Sequence, residues 1–144
     1  MIVRSKPPSW YWLIAGLIVL WGAIGIAAFY MDLTMSPAAV AEMTEYDRAL
    51  RASRPGWFLW LYGAAVWAGF IGGALLLLRS ALAHPVFVLG LVLVVAMFGY
   101  IFAVTDLIAV KGFVAAAGFP IVIAAISAFE IWFAARARLR GGIG

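Results

Sequence analysis

Four long runs of apolar residues, separated by shorter polar segments, set the pattern of this 144-residue chain. The runs cover residues 10–31, 57–78, 85–104 and 113–135. Each holds about the 20 residues that a helix needs to cross a hydrocarbon layer about 30 Å thick. Because backbone amides in lipid must be hydrogen-bonded within the protein, the runs predict helices rather than strands. We therefore predict an all-α integral membrane bundle of four transmembrane helices, forming a single membrane domain over residues 1–144.

The connection between the first two runs is the only long one, and it carries a helical pattern of its own. Ser36-Pro37 is typical of an N-cap followed by proline at the first helical position. Apolar residues then recur at spacings of three and four, at Val40, Met43, Tyr46 and Leu50. This pattern predicts a short amphipathic helix over residues 36–52. We expect it to lie like a lid on the outer ends of the spans, with its arginines pointing to water or to Asp32 and Asp106.

The lid should rest on aromatic residues that gather at the outer ends of the spans. These are Tyr30, Trp57, Trp60, Tyr62 and Tyr100. A large apolar side chain left in water forfeits about 1.5–3 kcal/mol of burial free energy, so the apolar face of the loop helix needs such a surface.

Basic residues are unevenly divided between the two sides of the predicted bundle. The net charge of +4 comes from ten Lys and Arg against six Asp and Glu. If the N-terminus is inside, the inner segments hold Arg4, Lys6, Arg79, Arg136, Arg138 and Arg140. The outer segments then hold Arg48, Arg51, Arg54 and Lys111. Since loops rich in Lys and Arg stay on the cytoplasmic side, we predict that both termini are cytoplasmic.

Composition excludes several classes of function. Hydrophobic residues make up 67% of the chain and charged residues 11%, with a mean hydropathy of +1.11. Cysteine, asparagine and glutamine are absent, and the single histidine has no ligand partner at metal-binding spacing. Nucleophile–base pairs, phosphate-binding loops and nucleic-acid motifs are also missing. We therefore predict no enzyme activity, no cofactor and no nucleic-acid partner, and expect the basic tail to contact anionic lipid.

Glu130 is the only acidic residue inside a predicted span. A carboxylate within the membrane is by default a candidate functional group. Its position near the inner end of the fourth span leaves two interpretations open. Glu130 either forms an interfacial ion pair with Arg79 or Arg136, or binds a proton or cation.

Three other charged residues fall at the outer ends of the spans. Asp32 and Asp106 follow the first and third runs, and Lys111 precedes the fourth. Asp106 could cap the next short turn. Alternatively, Asp32 and Asp106 form a polar vestibule together with Lys111.

Small residues mark candidate packing surfaces between the helices. Gly69 and Gly73 form a GxxxG pattern in the second span, with Gly72 beside them. Such residues let helix backbones approach closely, either within one bundle or between two copies. Further glycines that could serve similarly are Gly22, Gly25, Gly90 and Gly99.

Several short segments together carry a family resemblance over nearly the whole chain. They are Pro8-Ser9-Trp10-Tyr11-Trp12, Leu20-Trp21, Met35-Ser36-Pro37, Pro55-Gly56-Trp57, residues 75–79 and Ala83-His84-Pro85-Val86-Phe87. The chain resembles a family of small bacterial four-helix membrane proteins that are often labelled sugar transporters and have no established biochemistry. The resemblance implies a location in the bacterial inner membrane and transfers no catalytic residue. Family members usually have Asn after the position of Trp21, where this chain has Gly22.

Two functions are consistent with these observations. The leading hypothesis is a non-enzymatic accessory or structural protein that binds lipid, other membrane proteins or further copies of itself. The alternative is a transporter of a small or hydrophobic solute, for which Glu130 would provide proton coupling. A sugar needs many placed donors and acceptors, and the predicted midplane has no amide or charged side chain to supply them.

Overall fold

The computed structural model describes residues 6–144, and this part of the chain is helical apart from short connections. The elements are α1 (Ser9–Leu33), α2 (Pro37–Ala41), α3 (Glu45–Ala52), α4 (Gly56–Leu77), α5 (Ala83–Val104), α6 (Leu107–Lys111) and α7 (Phe113–Leu139). Helices α1, α4, α5 and α7 are long and apolar enough to cross a membrane. The all-α bundle with four helices of membrane-spanning length, predicted from the sequence, is therefore confirmed. Arg4, one of the basic residues used to predict topology, lies outside the described residues.

The predicted spans match the long helices closely, with one extension. Helix α7 continues four residues beyond the predicted end, to Leu139. Arg136 and Arg138 lie in its last turn, where cations interact favourably with the negative end of the helix dipole. Pro120 is contained within α7 without ending it.

The loop segment predicted as one helix over residues 36–52 is two helices, and this corrects the prediction. Ser36 caps α2 by accepting a hydrogen bond from the Ala39 amide, as its sequence context indicates. Thr44 then adopts an extended backbone and caps α3 by accepting from the Asp47 amide. An N-cap residue has non-helical dihedral angles, so a second cap in mid-segment interrupts the helix.

The long helices pack in chain order, with α1 against α4, α4 against α5, and α5 against α7. We call the end of the bundle that holds Ser9 and Leu139 the terminal end, and the opposite end, with α2, α3 and α6, the loop end. The largest buried cluster lies at the terminal end. It comprises Tyr11, Ala15, Ile18, Leu76, Ala83, Phe87, Phe133, Ala134, Ala137 and Ile143. This cluster closes the bundle at that end.

The last four residues turn back into the terminal end rather than extending along the membrane surface. Gly141 has a φ of +74°, which reverses the chain after α7. Arg79 donates from Nε to the Gly142 carbonyl oxygen at 2.7 Å, and the Gly144 amide donates to the Arg79 carbonyl oxygen at 3.0 Å. Ile143 is fully buried in the cluster. The tail is thus part of the core, a role that the sequence analysis did not predict.

The glycines differ in how closely they are packed. A Cβ added at Gly72 would lie 2.4 Å from the Phe87 ring, and one at Gly73 would lie 2.9 Å from Val19. A Cβ at Gly69 would meet nothing within 4 Å. Gly72 and Gly73 therefore lie at close helix contacts, whereas a side chain at Gly69 would enter open space. Gly22 makes the close backbone approach to α4 instead, with a Cβ there 2.7 Å from the Phe70 Cα.

Candidate functional site

A cavity of about 680 Å³ lies between the four long helices and runs from the loop end towards the terminal end. Its volume is within the range of about 300–1,000 Å³ that is usual for small-molecule sites. Most of its lining is apolar or aromatic, with polar groups at its two ends. The aromatic lining residues are Trp21, Phe58, Tyr62, Phe87, Phe98, Tyr100 and Phe119.

Two features of the chain leave this space open. The first is helix arrangement, because α1 and α7 meet mainly at the terminal end, where Trp10 and Tyr11 contact the Phe133 ring. The second is the small size of many lining residues. Gly22, Gly25, Ala28, Ala65, Gly69 and Gly90 all line the cavity. Glycines that the sequence analysis interpreted only as packing residues therefore also provide the volume of the cavity.

Glu130 lies at the closed end of the cavity, which we call the floor. Its side chain is 4% exposed and is the one buried charged group in the described part of the chain. Ser127, one turn earlier on α7, also lines the cavity and donates a hydrogen bond to the Ile123 carbonyl oxygen at 3.0 Å. No ion pair or side-chain hydrogen bond within residues 6–144 involves Glu130. A buried carboxylate without a partner is costly, which is why such groups usually have a function.

The two arginines expected as partners of Glu130 lie elsewhere. The Arg136 guanidinium is 5.5 Å from the centre of the Trp132 ring. Arg79 bonds to the C-terminal turn. The interpretation of Glu130 as half of an interfacial ion pair is therefore not supported by the geometry, and the carboxyl faces the bundle.

An ion-pair cluster centred on Asp32 lies at the loop end of the cavity, which we call its mouth. Arg51 donates to both the carboxylate and the backbone oxygen of Asp32, the latter at 2.6 Å. Arg54 reaches the second carboxylate oxygen at 3.2 Å, and its guanidinium lies 5.5 Å from the centre of the Phe58 ring. These contacts confirm the expectation that loop arginines reach Asp32. They fasten α3 to the end of α1.

A second set of contacts joins α3 to α6. The Tyr46 hydroxyl donates to Asp106 at 2.8 Å, so a tyrosine makes the contact that an arginine was expected to make. Lys111 pairs with Asp47 at 2.6 Å, and its hydrogen bond lowers the pKa of the Asp47 carboxyl. Partial burial and the hydrogen bond to Asp106 together raise the pKa of Tyr46. Asp32, Asp106 and Lys111 are thus all at the loop end, though in two separate contact sets rather than one vestibule.

The predicted lid is present in part. Met43 and Leu50 line the cavity together with Tyr62 and Tyr100, so the apolar face of the loop covers its mouth. Trp60, however, is 82% exposed and points away from the bundle. Trp57 and Tyr30 are also exposed, so the rim below the lid is smaller than predicted. Trp60 and Tyr62 are two positions apart on α4 and therefore point in different directions, so only Tyr62 faces the cavity.

No group of three or more His, Asp or Glu side chains placed to hold a metal occurs among residues 6–144. No family model, curated protein or solved structure matches the chain. The family resemblance drawn from short segments stays a prediction.

Proposed function

We propose that this protein binds a small hydrophobic solute inside the membrane and transports it. The observation that carries the proposal is the apolar cavity with the unpartnered carboxyl of Glu130 on its floor. A protein with a purely structural role gains nothing from an internal space of this size, because each unfilled volume forfeits packing energy. Of the two functions considered from the sequence, transport therefore accounts better for the geometry than an accessory role.

The lining of the cavity favours an apolar solute over a sugar. Between its polar ends, the cavity is lined by aromatic, aliphatic and glycine residues. A sugar would leave most of its hydroxyl groups without partners there, and each unpaired buried group costs free energy. The sugar-transporter label attached to the resembling family is thus not the interpretation we adopt.

The solute has a route from the lipid phase. Ile24 on α1 and Phe119 on α7 both line the cavity, and both are more than half exposed. They flank the gap left where α1 and α7 diverge towards the loop end. In a bilayer this gap would face acyl chains, from which a hydrophobic molecule could pass sideways into the cavity.

Two matched variants test whether the cavity binds solutes. Gly69 lines the cavity and Gly99 does not, and a Cβ at either position meets no atom within 4 Å. We expect Gly69→Phe to occupy part of the cavity and weaken binding of the neutral fluorophore N-phenyl-1-naphthylamine, measured in lipid nanodiscs after subtraction of empty discs. Gly99→Phe should bind like the unchanged protein. Equal binding by both variants would refute a site in the cavity, and absence of binding together with co-purification of a larger complex would favour the accessory role.

We further propose that the protein resides in the bacterial inner membrane with both termini cytoplasmic, so that the loop end faces outward. Because the chain has no cysteine, one introduced cysteine gives an unambiguous label. A cysteine at the exposed position of Arg48 should react with a membrane-impermeant maleimide in intact spheroplasts. A cysteine at Arg138 should react only after permeabilisation. The opposite pattern would reverse the topology.

A further inference from the structure

We infer that the solute is a monovalent organic cation with an apolar body, bound with its charge at Glu130. This inference rests on the proposed function, because it specifies the ligand of the same cavity. It depends on the charge balance of the cavity wall, on the burial of Glu130 and on the aromatic groups that line the cavity.

The charges that line the cavity do not cancel. At the mouth, two arginines and Asp32 form one cluster, and Asp47 is paired with Lys111. With Asp106, which accepts from Tyr46, the loop-end contact sets hold three cations and three carboxylates and carry no net charge: Arg51, Arg54 and Lys111 against Asp32, Asp47 and Asp106. Glu130, by contrast, has no cationic partner within the described residues. A single negative charge on the floor is complementary to one positive charge on a ligand.

The carboxyl is also open to the cavity rather than enclosed by protein. Within residues 6–144, every side-chain nitrogen or oxygen that is fully buried has a hydrogen-bond partner. Since Glu130 has no such partner, its carboxyl oxygens are not fully buried, and the cavity that this residue lines is the open space next to it. A ligand group that enters the cavity can therefore reach them directly.

Aromatic rings that line the cavity provide further contacts for a ligand with a positive charge and an apolar body. Phe87 belongs to the closing cluster at the terminal end and also lines the cavity, which puts its ring near the floor. Trp21 and Phe119 contribute further rings from the two helices that flank the lateral gap. The faces of such rings attract cations, and they cover an apolar ligand body equally well.

Other ligand charges fit less well. An anion would meet the carboxylate of Glu130 in a medium of low dielectric constant, where repulsion is strong. A neutral solute would fill the cavity without using the negative charge that Glu130 can carry. A doubly charged cation would leave one positive charge without a partner on the apolar walls.

Two ions of the same shape and opposite charge test the inference on the full-length protein in nanodiscs. Tetraphenylphosphonium should bind, and tetraphenylborate should bind roughly tenfold more weakly or worse after subtraction of empty discs. Glu130→Gln should weaken tetraphenylphosphonium binding by roughly tenfold or more, while Glu130→Asp restores most of it. The exposed loop variant Glu42→Gln is the control and should leave both ions unaffected.

The neutral fluorophore separates this inference from the proposed function. Glu130→Gln should still bind N-phenyl-1-naphthylamine, which shows that its cavity is intact. If the unchanged protein binds the fluorophore but does not distinguish the two ions, the cation inference is wrong and the cavity site stands. If it binds none of the three probes, both proposals fail. If Glu130→Gln does not fold, the ion preference of the unchanged protein and the Glu130→Asp variant decide the question.

Discussion

Replacing Gly22 with alanine perturbs the close approach between α1 and α4. The added Cβ would lie 2.7 Å from the Cα and 2.9 Å from the amide nitrogen of Phe70. Ordinary contact begins at 3.4 Å, so the two helices must separate by about 0.7 Å or tilt. The atoms in the way belong to the α4 backbone, which cannot rotate aside as a flexible side chain could.

The expected cost follows from this geometry. Inserting one extra carbon into a well-packed interior typically costs about 1–3 kcal/mol. The exchange also replaces a helical glycine with alanine. The higher helix propensity of alanine stabilises the helix by about 0.8–1.0 kcal/mol. Gly99→Ala gains the same helix propensity without a clash, because a Cβ at position 99 meets no atom within 4 Å. The difference between the two variants therefore isolates the packing cost, about 1–3 kcal/mol, or roughly 2–12 °C in midpoint for a chain of this size.

Thermal unfolding in a mild detergent, followed by circular dichroism, measures that difference. Gly22→Ala should unfold at a lower temperature than Gly99→Ala under identical conditions. If the two midpoints coincide, α1 and α4 are not in the close contact described here, and the account of how glycines shape the bundle is wrong.

Three further predictions concern the two ends of the bundle. Ile143→Ala should destabilise the protein by about 2–5 kcal/mol in the same assay. The control Leu139→Ala, at a position that is 88% exposed, should have little effect. Equal unfolding midpoints for the two variants would mean that the C-terminal turn is not packed against the bundle. Asp32→Asn should release α3, because it removes the charge that holds two arginines, and should speed trypsin cleavage in the loop; unchanged cleavage would contradict the cluster. Since its partner Lys111 lowers the pKa of Asp47, the ion pair should persist at neutral pH and be lost as pH falls through that lowered value, below 3.8. The hydrogen-exchange rate of the α3 amides should therefore rise in that pH range. In the Asp47→Asn variant the same rise should be seen already at neutral pH.

Much of the fold follows from local properties of the sequence. Four apolar runs of membrane-spanning length must form helices in lipid, whatever their neighbours, because no other segment satisfies its own backbone there. The start of α2 was equally predictable, since Ser36 and Pro37 act within one turn. The contact of loop arginines with Asp32 was predictable in kind, because Asp32 ends the first span next to the loop that carries those arginines. The second cap at Thr44 is also a local feature, since Thr is a favoured N-cap residue and bonds to the Asp47 amide within one turn.

The candidate site depended on tertiary structure. Sequence alone identified Glu130 as unusual but left its direction open, because a helix rotation of a quarter turn would turn the same carboxyl towards headgroups. The four spans have nearly continuous hydrophobicity and no strong apolar face, so periodicity does not show which side of each helix is buried. The roles of Gly22 and Gly69 likewise depend on which helix lies opposite each of them.

What the amino-acid sequence by itself determined is the number, length and helical character of the spans and the identity of their rare charged residues. These properties depend on each segment and the lipid around it. Tertiary structure alone decided that α1 and α7 diverge, that Ile143 is buried at the terminal end, and that Glu130 faces an open cavity instead of an arginine. Those outcomes depend on relative helix rotation and on close contacts between residues far apart in the chain, such as Tyr11 with Phe133.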